Sequence, residues 1–301
     1  MKKYLIQILV VLVLLGAAWA LFLLGNTEEG VRQEASIEPV RLPISGEVIP
    51  IRNWSFEEPE ILAESAIVVV GQAVLFEKNT NRVLPIASLT KLMTGIIVLE
   101  NLSLDEIVKV SKESVLTMGD KGALIRGEEL KVLDLLYIML IESSNDAAMA
   151  LANDAFDYYE FLELMNLKAE EIGMVNTKFL DPIGLNSKNK STVIDLAKLT
   201  KYSLKFPVLW DILKTPQAIV YSIDNLFVHN LINTNTLLDK FSFLLGGKTG
   251  YTGDANGCML TVLNIKGSLG DNYLITIILG SDQRETDMEN LLVWAKESHI
   301  W

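Results

Sequence analysis

The sequence has one cysteine, Cys258, and two histidines, His229 and His299, in 301 residues. A single cysteine excludes an intramolecular disulfide, and so few Cys and His side chains argue against a Cys/His zinc site. His299 stands third from the end and His229 lies in no recognisable triad context, which disfavours Ser-His-Asp chemistry. Excess positive charge is also missing. The net charge is -12, and removing the +2 of Lys2 and Lys3, the only charges before Glu28, leaves -14 on the remainder. So acidic a body lacks the basic footprint that phosphate binding needs, so no nucleic-acid partner is expected. Length is ample for one large domain or two small ones with a sizeable core.

What is present first is an apolar segment. Lys2 and Lys3 precede an uncharged, almost wholly apolar run from Tyr4 to Leu24, 21 residues long. A helix of that length crosses a hydrocarbon core of ~30 Å. The two lysines favour a cytoplasmic N-terminus, which puts everything beyond residue 25 outside the membrane. Residues 1–25 therefore read as a single-pass anchor in the lipid bilayer. The competing reading is a cleaved signal sequence and a secreted protein, because Ala18-Trp19-Ala20 resembles a small-x-small cleavage site. Cleavage there would leave Leu21-Phe22-Leu23-Leu24 as an exposed apolar end, which favours the anchor. Residues 26–61 have no sustained period and are broken by Pro39, Pro43, Pro50 and Pro59. They read as a linker, with Val48-Ile49 and Ile51 able to add a short strand.

The folded body begins near residue 62. Ala66 to Val70 and Ala73 to Phe76, around Gly71-Gln72, read as a β-hairpin. A mostly apolar helix follows from Ser88, with Leu89, Leu92, Met93, Ile96, Ile97 and Leu99. Asp105 to Asp120 reads as a short amphipathic piece plus loop. Apolar helical patterning resumes at Leu130 to Leu140, at Ala147 to Ala152, and over Phe156 to Gly173. In the last of these Phe161, Leu162, Leu164, Met165, Leu167 and Ala169 form the buried side and Glu163 a surface residue. Ser191 to Lys205 is a further helix, capped by Ser191 or Thr192. Asn233 to Leu238 is a loop, Cys258 to Ile265 and Tyr273 to Leu279 are strands, and Glu289 to Trp301 is an amphipathic helix. Strands at both ends with helices between them predict an α+β domain, its antiparallel sheet built from both chain ends and a helical part inserted between.

Three short stretches carry chemistry. Ser88 starts an apolar helix and Lys91, three residues on, shares its face. A serine hydroxyl needs a base close by, and a buried lysine amine can serve when its pKa is depressed. Ser88 as a helix cap with Lys91 in solvent is the bland alternative, but a face lined by Leu89, Leu92 and Met93 has no need of a lysine. Ser143-Ser144-Asn145 interrupts two apolar helices as a polar turn whose serine and amide can partner Lys91 and a substrate; the bland alternative is a helix cap. Gly246-Gly247-Lys248-Thr249-Gly250-Tyr251 combines glycines that admit close backbone approach with a cation and a hydroxyl, suiting carboxylate and oxyanion recognition. It is not a phosphate loop, because position 242 is Ser where the pattern requires Gly.

With these in place, the chain resembles the penicillin-binding D-alanyl-D-alanine carboxypeptidases of the β-lactamase/transpeptidase-like fold, marked by S-x-x-K, S-x-N and K-T-G. The resemblance runs from about residue 62 to 301. It includes Pro85 to Thr94, Ser144 to Ala148, Asp181-Pro182-Ile183-Gly184-Leu185 and Gly247 to Thr252. It implies that Ser88 attacks the penultimate D-alanine carbonyl of a peptidoglycan stem peptide ending in D-Ala-D-Ala while Lys91 takes its proton. Ser143 and Asn145 would relay protons and hold the substrate amide. Lys248 and Thr249 would bind the terminal carboxylate, and the backbone N–H groups of Ser88 and Tyr251 would form the oxyanion hole beside Gly250. β-Lactam antibiotics would act as inhibitors, and no metal or organic cofactor is needed. Some relatives carry an arginine in the loop ahead of K-T-G. Here that loop reads Asn233-Thr234-Asn235, which leaves Thr234 as its substrate-binding candidate and shifts carboxylate binding toward Lys248 and Thr249. Alternatives are a D,D-endopeptidase or weak β-lactamase on the same site, or a catalytically silent cell-wall-binding module. The residue that activates the deacylating water is not legible.

Overall fold

The computed structural model describes residues 50–119, 122–267 and 270–301. The anchor expected over residues 1–25 and most of the expected linker lie outside the described residues. No helix among the described residues is long and apolar enough to cross a membrane.

Ile51–Arg52 (β1) pairs antiparallel with His299–Ile300 at the other end of the chain. The Asn53 N–H donates to the Ser298 carbonyl at 2.8 Å, and the Arg52 guanidinium lies over the Trp54 and Trp294 rings at 4.5 and 5.1 Å. The folded body therefore reaches back at least to residue 51, ahead of the expected start at 62. The expected hairpin forms as β2 (Ser65–Val70) and β3 (Ala73–Lys78). Leu84–Pro85 (β4) leads into a 3-10 turn (Ala87–Leu89) and then α1 (Thr90–Asn101).

The stretch expected to be an amphipathic piece plus loop contains Ile107–Lys109 (β5) and one short helix, α2 (Lys112–Val115). β5 pairs with Glu129–Lys131 (β6), which runs straight into α3 (Val132–Ile141). α4 (Asn145–Met149) continues through a π-turn to Asp154. Asp157 then caps α5 (Tyr158–Glu171), accepting from the Tyr159 and Glu160 N–H groups. Phe161, Met165 and Ala169 of α5 are buried, whereas Leu167, expected inside, is 52% exposed.

β7 (Lys190–Ser191) pairs with β4, and Thr192 caps α6 (Val193–Ser203) through the Asp195 N–H. α7 (Pro207–Leu213) precedes a hairpin that no local pattern marks, β8 (Gln217–Tyr221) with β9 (Val228–Ile232). After α8 (Leu237–Lys240) come three long strands, β10 (Leu244–Thr252), β11 (Asn256–Gly267) and β12 (Gly270–Ser281). The last helix, α9 (Arg284–Glu297), starts and stops earlier than expected, and the chain ends on β13 (His299–Ile300).

The main sheet is antiparallel in the order β10-β11-β12-β2-β3, so both chain ends build it, as expected. Its two faces serve two cores. Ala66, Val68, Val70, Leu274 and Ile278 face Met288, Leu291 and Ala295 of α9. Ile67, Ile275 and Ile277 face the helical side with α1, α3 and α6. Cover on both faces explains why β2 is a continuous apolar run and shows no alternation. β10 is one edge of this sheet, and its glycine-rich stretch packs against the 3-10 turn that holds Ser88.

Candidate active site

Ser88 is presented by a strained connection. The Ile86 N–H donates to the Asn189 carbonyl at 3.1 Å, Ala87 adopts φ +46°, and the chain then closes the 3-10 turn ahead of α1. An alanine with positive φ is costly, so its surroundings must hold it. Two glycines do so by close approach. A Cβ on Gly184, whose φ is +87°, would stand 2.0 Å from the Ala87 carbonyl oxygen, and one on Gly250 would stand 3.0 Å from the Ser88 nitrogen.

Lys91 is fully buried. Its Nζ lies 3.0 Å from Ser88 Oγ, 2.7 Å from Asn145 Oδ1 and 2.7 Å from the Ile183 carbonyl oxygen. Burial pulls the amine down to about 7, with Asp181 opposing that fall electrostatically. The Ile183 carbonyl is placed by a loop wound around the Asp181 carboxylate, which accepts from the Ile183, Gly184 and Asn186 N–H groups and from Asn189 Nδ2. Asp181 to Leu185 is one of the stretches that carry the family resemblance, and this is its task in the site.

The polar turn between α3 and α4 is as expected, with its duties divided. Ser144 caps α4, its Oγ accepting from the Ala147 N–H at 3.0 Å. Ser143 takes φ +64°, and its Oγ accepts from Lys248 Nζ at 2.8 Å. Asn145 holds Lys91 through Oδ1 and donates from Nδ2 to the Met118 carbonyl at 2.6 Å. Asn145 thus partners Lys91 while Ser143 partners Lys248.

Lys248 and Thr249 sit on β10, both buried. Burial, followed by the nearby charges of Lys91 and Arg284, holds the Lys248 amine well below its usual range. Thr249 Oγ1 donates to Thr234 Oγ1 at 2.6 Å, which brings the loop after β9 to the strand. The Tyr251 side chain is 66% exposed at the rim. Arg284, which no local pattern in the sequence marks, donates from Nη1 to the Gly250 carbonyl at 2.9 Å. That carbonyl belongs to the peptide whose N–H is that of Tyr251. Lys91 thus joins Ser88 to Asn145, Lys248 joins β10 to Ser143, and Thr249 joins it to Thr234. Gly250 lies against the Ser88 nitrogen, while Tyr251 follows Gly250 on β10 with its side chain exposed. Among the described residues, no cluster of three or more His, Cys, Asp and Glu could hold a metal.

A family model for D-alanyl-D-alanine carboxypeptidase matches residues 53–283. The chain belongs to this family. It is 31% identical over 249 residues to a D-alanyl-D-alanine endopeptidase of Pseudomonas aeruginosa, covering 81% of this chain and 80% of that one. The D-alanyl-D-alanine endopeptidase of Escherichia coli is 35% identical over 218 residues, covering 69% and 70%. D-alanyl-D-alanine carboxypeptidase DacF of Bacillus subtilis is 32% identical over 246 residues, covering 77% of this chain and 62% of its own. Among solved structures, the DD-transpeptidase of Streptomyces K15 superposes with a TM-score of 0.71 at 28% identity, covering 79% of this chain and 98% of that one. The carboxypeptidase family's fold is thus the fold of this chain, and the protein is a serine peptidase of that family.

Proposed function

We propose that this carboxypeptidase-family enzyme removes the terminal D-alanine from peptidoglycan stem peptides through an acyl-enzyme on Ser88. The observation that carries the reading is the placement of a fully buried Lys91 Nζ 3.0 Å from Ser88 Oγ, with two carbonyl oxygens occupying its other donor directions. The Ser88 Oγ–H passes its proton to Lys91 as Oγ bonds to the penultimate D-alanine carbonyl carbon. The tetrahedral oxyanion takes hydrogen bonds from the Ser88 and Tyr251 N–H groups, the latter in a peptide already polarised by Arg284. As the C–N bond breaks, a proton reaches the departing D-alanine nitrogen through Lys91 or through Ser143, which Lys248 holds at 2.8 Å. Thr249, Thr234 and Lys248 receive the terminal carboxylate. Water then cleaves the acyl-enzyme. β-Lactams acylate the same serine.

The endopeptidase names of two relatives favour a second reading, cleavage of D-Ala cross-links on the same site. Residues 1–25 support placement of the catalytic domain outside the cell membrane on an anchor, because the Tyr4–Leu24 run is long enough to span it. Incubation of the protein with a pentapeptide ending in D-Ala-D-Ala and with a cross-linked dimer, followed by D-alanine and fragment analysis, tests both readings. Free D-alanine from the pentapeptide supports the carboxypeptidase; cleavage of the dimer alone supports the endopeptidase. Neither product would contradict both.

A further inference from the structure

A buried pair outside the chemistry above grips the segment that covers the α3–α4 turn. His229, on β9, places Nε2 2.7 Å from Glu128 Oε1 and Nδ1 3.1 Å from the Gly122 carbonyl oxygen. His229 is 7% exposed and Glu128 2%. Glu128 also accepts from the Ile125 N–H at 3.0 Å, so one carboxylate folds the 122–128 segment and binds the ring. That segment lies hard against the site. A Cβ on Gly122 would stand 2.0 Å from Ser144 Oγ, and the Leu124 N–H donates to Asp146 Oδ2 at 3.4 Å. Ser144 and Asp146 flank Asn145, the side chain that holds Lys91. From the same strand as His229 the chain runs on to Thr234, whose N–H donates to the Ile141 carbonyl at 3.0 Å and whose hydroxyl accepts from Thr249. His229 thus ties the 122–128 segment to the strand that leads on to Thr234.

Both ring nitrogens face acceptors, one a carboxylate oxygen and the other a carbonyl oxygen. A neutral imidazole carries one N–H and satisfies one of them; an imidazolium satisfies both, with Glu128 as its counter-charge. The charged groups facing the ring are Glu128, ahead of β6, and Glu142, at the end of α3. The Glu128 contact lifts His229 above the usual imidazole range against the effect of burial, and Gly122 and Glu142 add to the lift. Deprotonation turns a ring lone pair toward one of the two acceptors, and that contact becomes repulsive. The grip is complete at low pH and is lost as pH rises through the raised pKa.

We propose that His229 and Glu128 are positioning residues that lock the 122–128 segment against Ser144 and Asp146, and so hold Asn145 for Ser88 acylation. Their imidazolium–carboxylate contact makes acylation fall as pH rises and the ring loses its second proton. This rests on the reading of Ser88 as the nucleophile.

The test is the rate of acylation by a fluorescent penicillin from mildly acidic to alkaline pH, in the full chain and two variants. His229→Gln is expected to acylate roughly tenfold more slowly at neutral pH, the scale on which loosened positioning acts, and to show no further alkaline fall. In Glu128→Gln the amide can donate to Nε2, leaving Nδ1–H for Gly122. The lock then needs no extra proton, so a near-normal rate without the alkaline fall is expected. A His229→Gln protein with the unaltered rate and profile, or a Glu128→Gln protein that keeps the alkaline fall, overturns the proposal. Should neither variant fold, nitrogen NMR of the imidazoles decides, since there are only two histidines and His299→Gln assigns them. A His229 that keeps both nitrogens protonated to higher pH than a free imidazole supports the lock; one that loses its proton no later than a free imidazole overturns it. Failure of the unmodified protein to react with penicillin would count against the functional reading instead, and the NMR measurement would still test the pair.

Discussion

Lys91 Nζ stands 3.0 Å from Ser88 Oγ, while Asn145 Oδ1 and the Ile183 carbonyl oxygen each hold it at 2.7 Å. A neutral amine has two N–H bonds and one lone pair. The two carbonyl acceptors take the N–H bonds, which leaves the lone pair for the Ser88 hydroxyl. Burial brings the amine to about 7, so the neutral form is populated at neutral pH without any histidine in the site. The rate of Ser88 acylation is therefore expected to rise with pH along a limb centred near 7, ahead of the fall that follows His229 deprotonation. Lys91→Met removes that rising limb and lowers the rate by about 10²- to 10⁴-fold, the usual worth of a general base. Stopped-flow acylation across pH checks both.

The same lysine makes stability pH-dependent in a stated direction. Its folded pKa, about 7, lies below the ordinary 10.5, so between these values the unfolded chain binds more protons than the folded one. Stability therefore rises with pH across that window. Lys248 shifts in the same sense, so Lys91→Met reduces the slope and leaves part of it. Urea unfolding at several pH values between the two pKa values measures it.

Asp181 acts at a distance from the nucleophile in two separable ways. Its carboxylate winds the loop that presents the Ile183 carbonyl, and its charge raises the Lys91 amine against burial. Asp181→Asn weakens several backbone contacts, with an expected loss of about 1–3 kcal/mol in unfolding free energy. It also lowers the Lys91 pKa further, so the rising limb of the acylation profile moves to lower pH. A variant whose profile does not move would show that Asp181 acts only on structure.

Gly184→Ala places a methyl group against the backbone that presents Ser88. The position has φ +87°, and its Cβ would stand 2.0 Å from the Ala87 carbonyl oxygen, with no flexible side-chain end to yield. Strain of about 1–3 kcal/mol is expected, together with slower acylation because Ala87 and Ser88 must shift. Thermal unfolding and the acylation rate of the purified variant report the two effects independently.

Local patterns made the chemistry legible and long-range contacts hid its supports. Ser88 and Lys91 declare themselves because a three-residue step on an apolar helix leaves a lysine with no solvent to reach. The apolar runs of β2, β11 and β12 predict the sheet because each is a continuous buried stretch. Ser143 and Asn145 were legible as a polar turn, but their division between Lys248 and Lys91 depends on a left-handed Ser143 that sequence spacing does not encode. His229 on β9 meets Glu128 and Gly122 in the loop ahead of β6, about a hundred residues earlier in the chain, so no window of sequence contains their relationship. Arg284 opens α9 beyond β12 and reaches Gly250 only once β10 and β11 have paired. The β1–β13 pairing was hidden for the same reason, its partners being at opposite ends of the chain. Leu167 misled because periodicity marks a face as apolar without saying that anything covers it.

Peptide mapping by mass spectrometry after reaction with a penicillin locates the nucleophile. One covalent adduct is expected, on Ser88, and it is absent in Ser88→Ala while the variant remains folded. An adduct on another residue, or labelling undiminished in Ser88→Ala, would contradict Ser88 as the nucleophile.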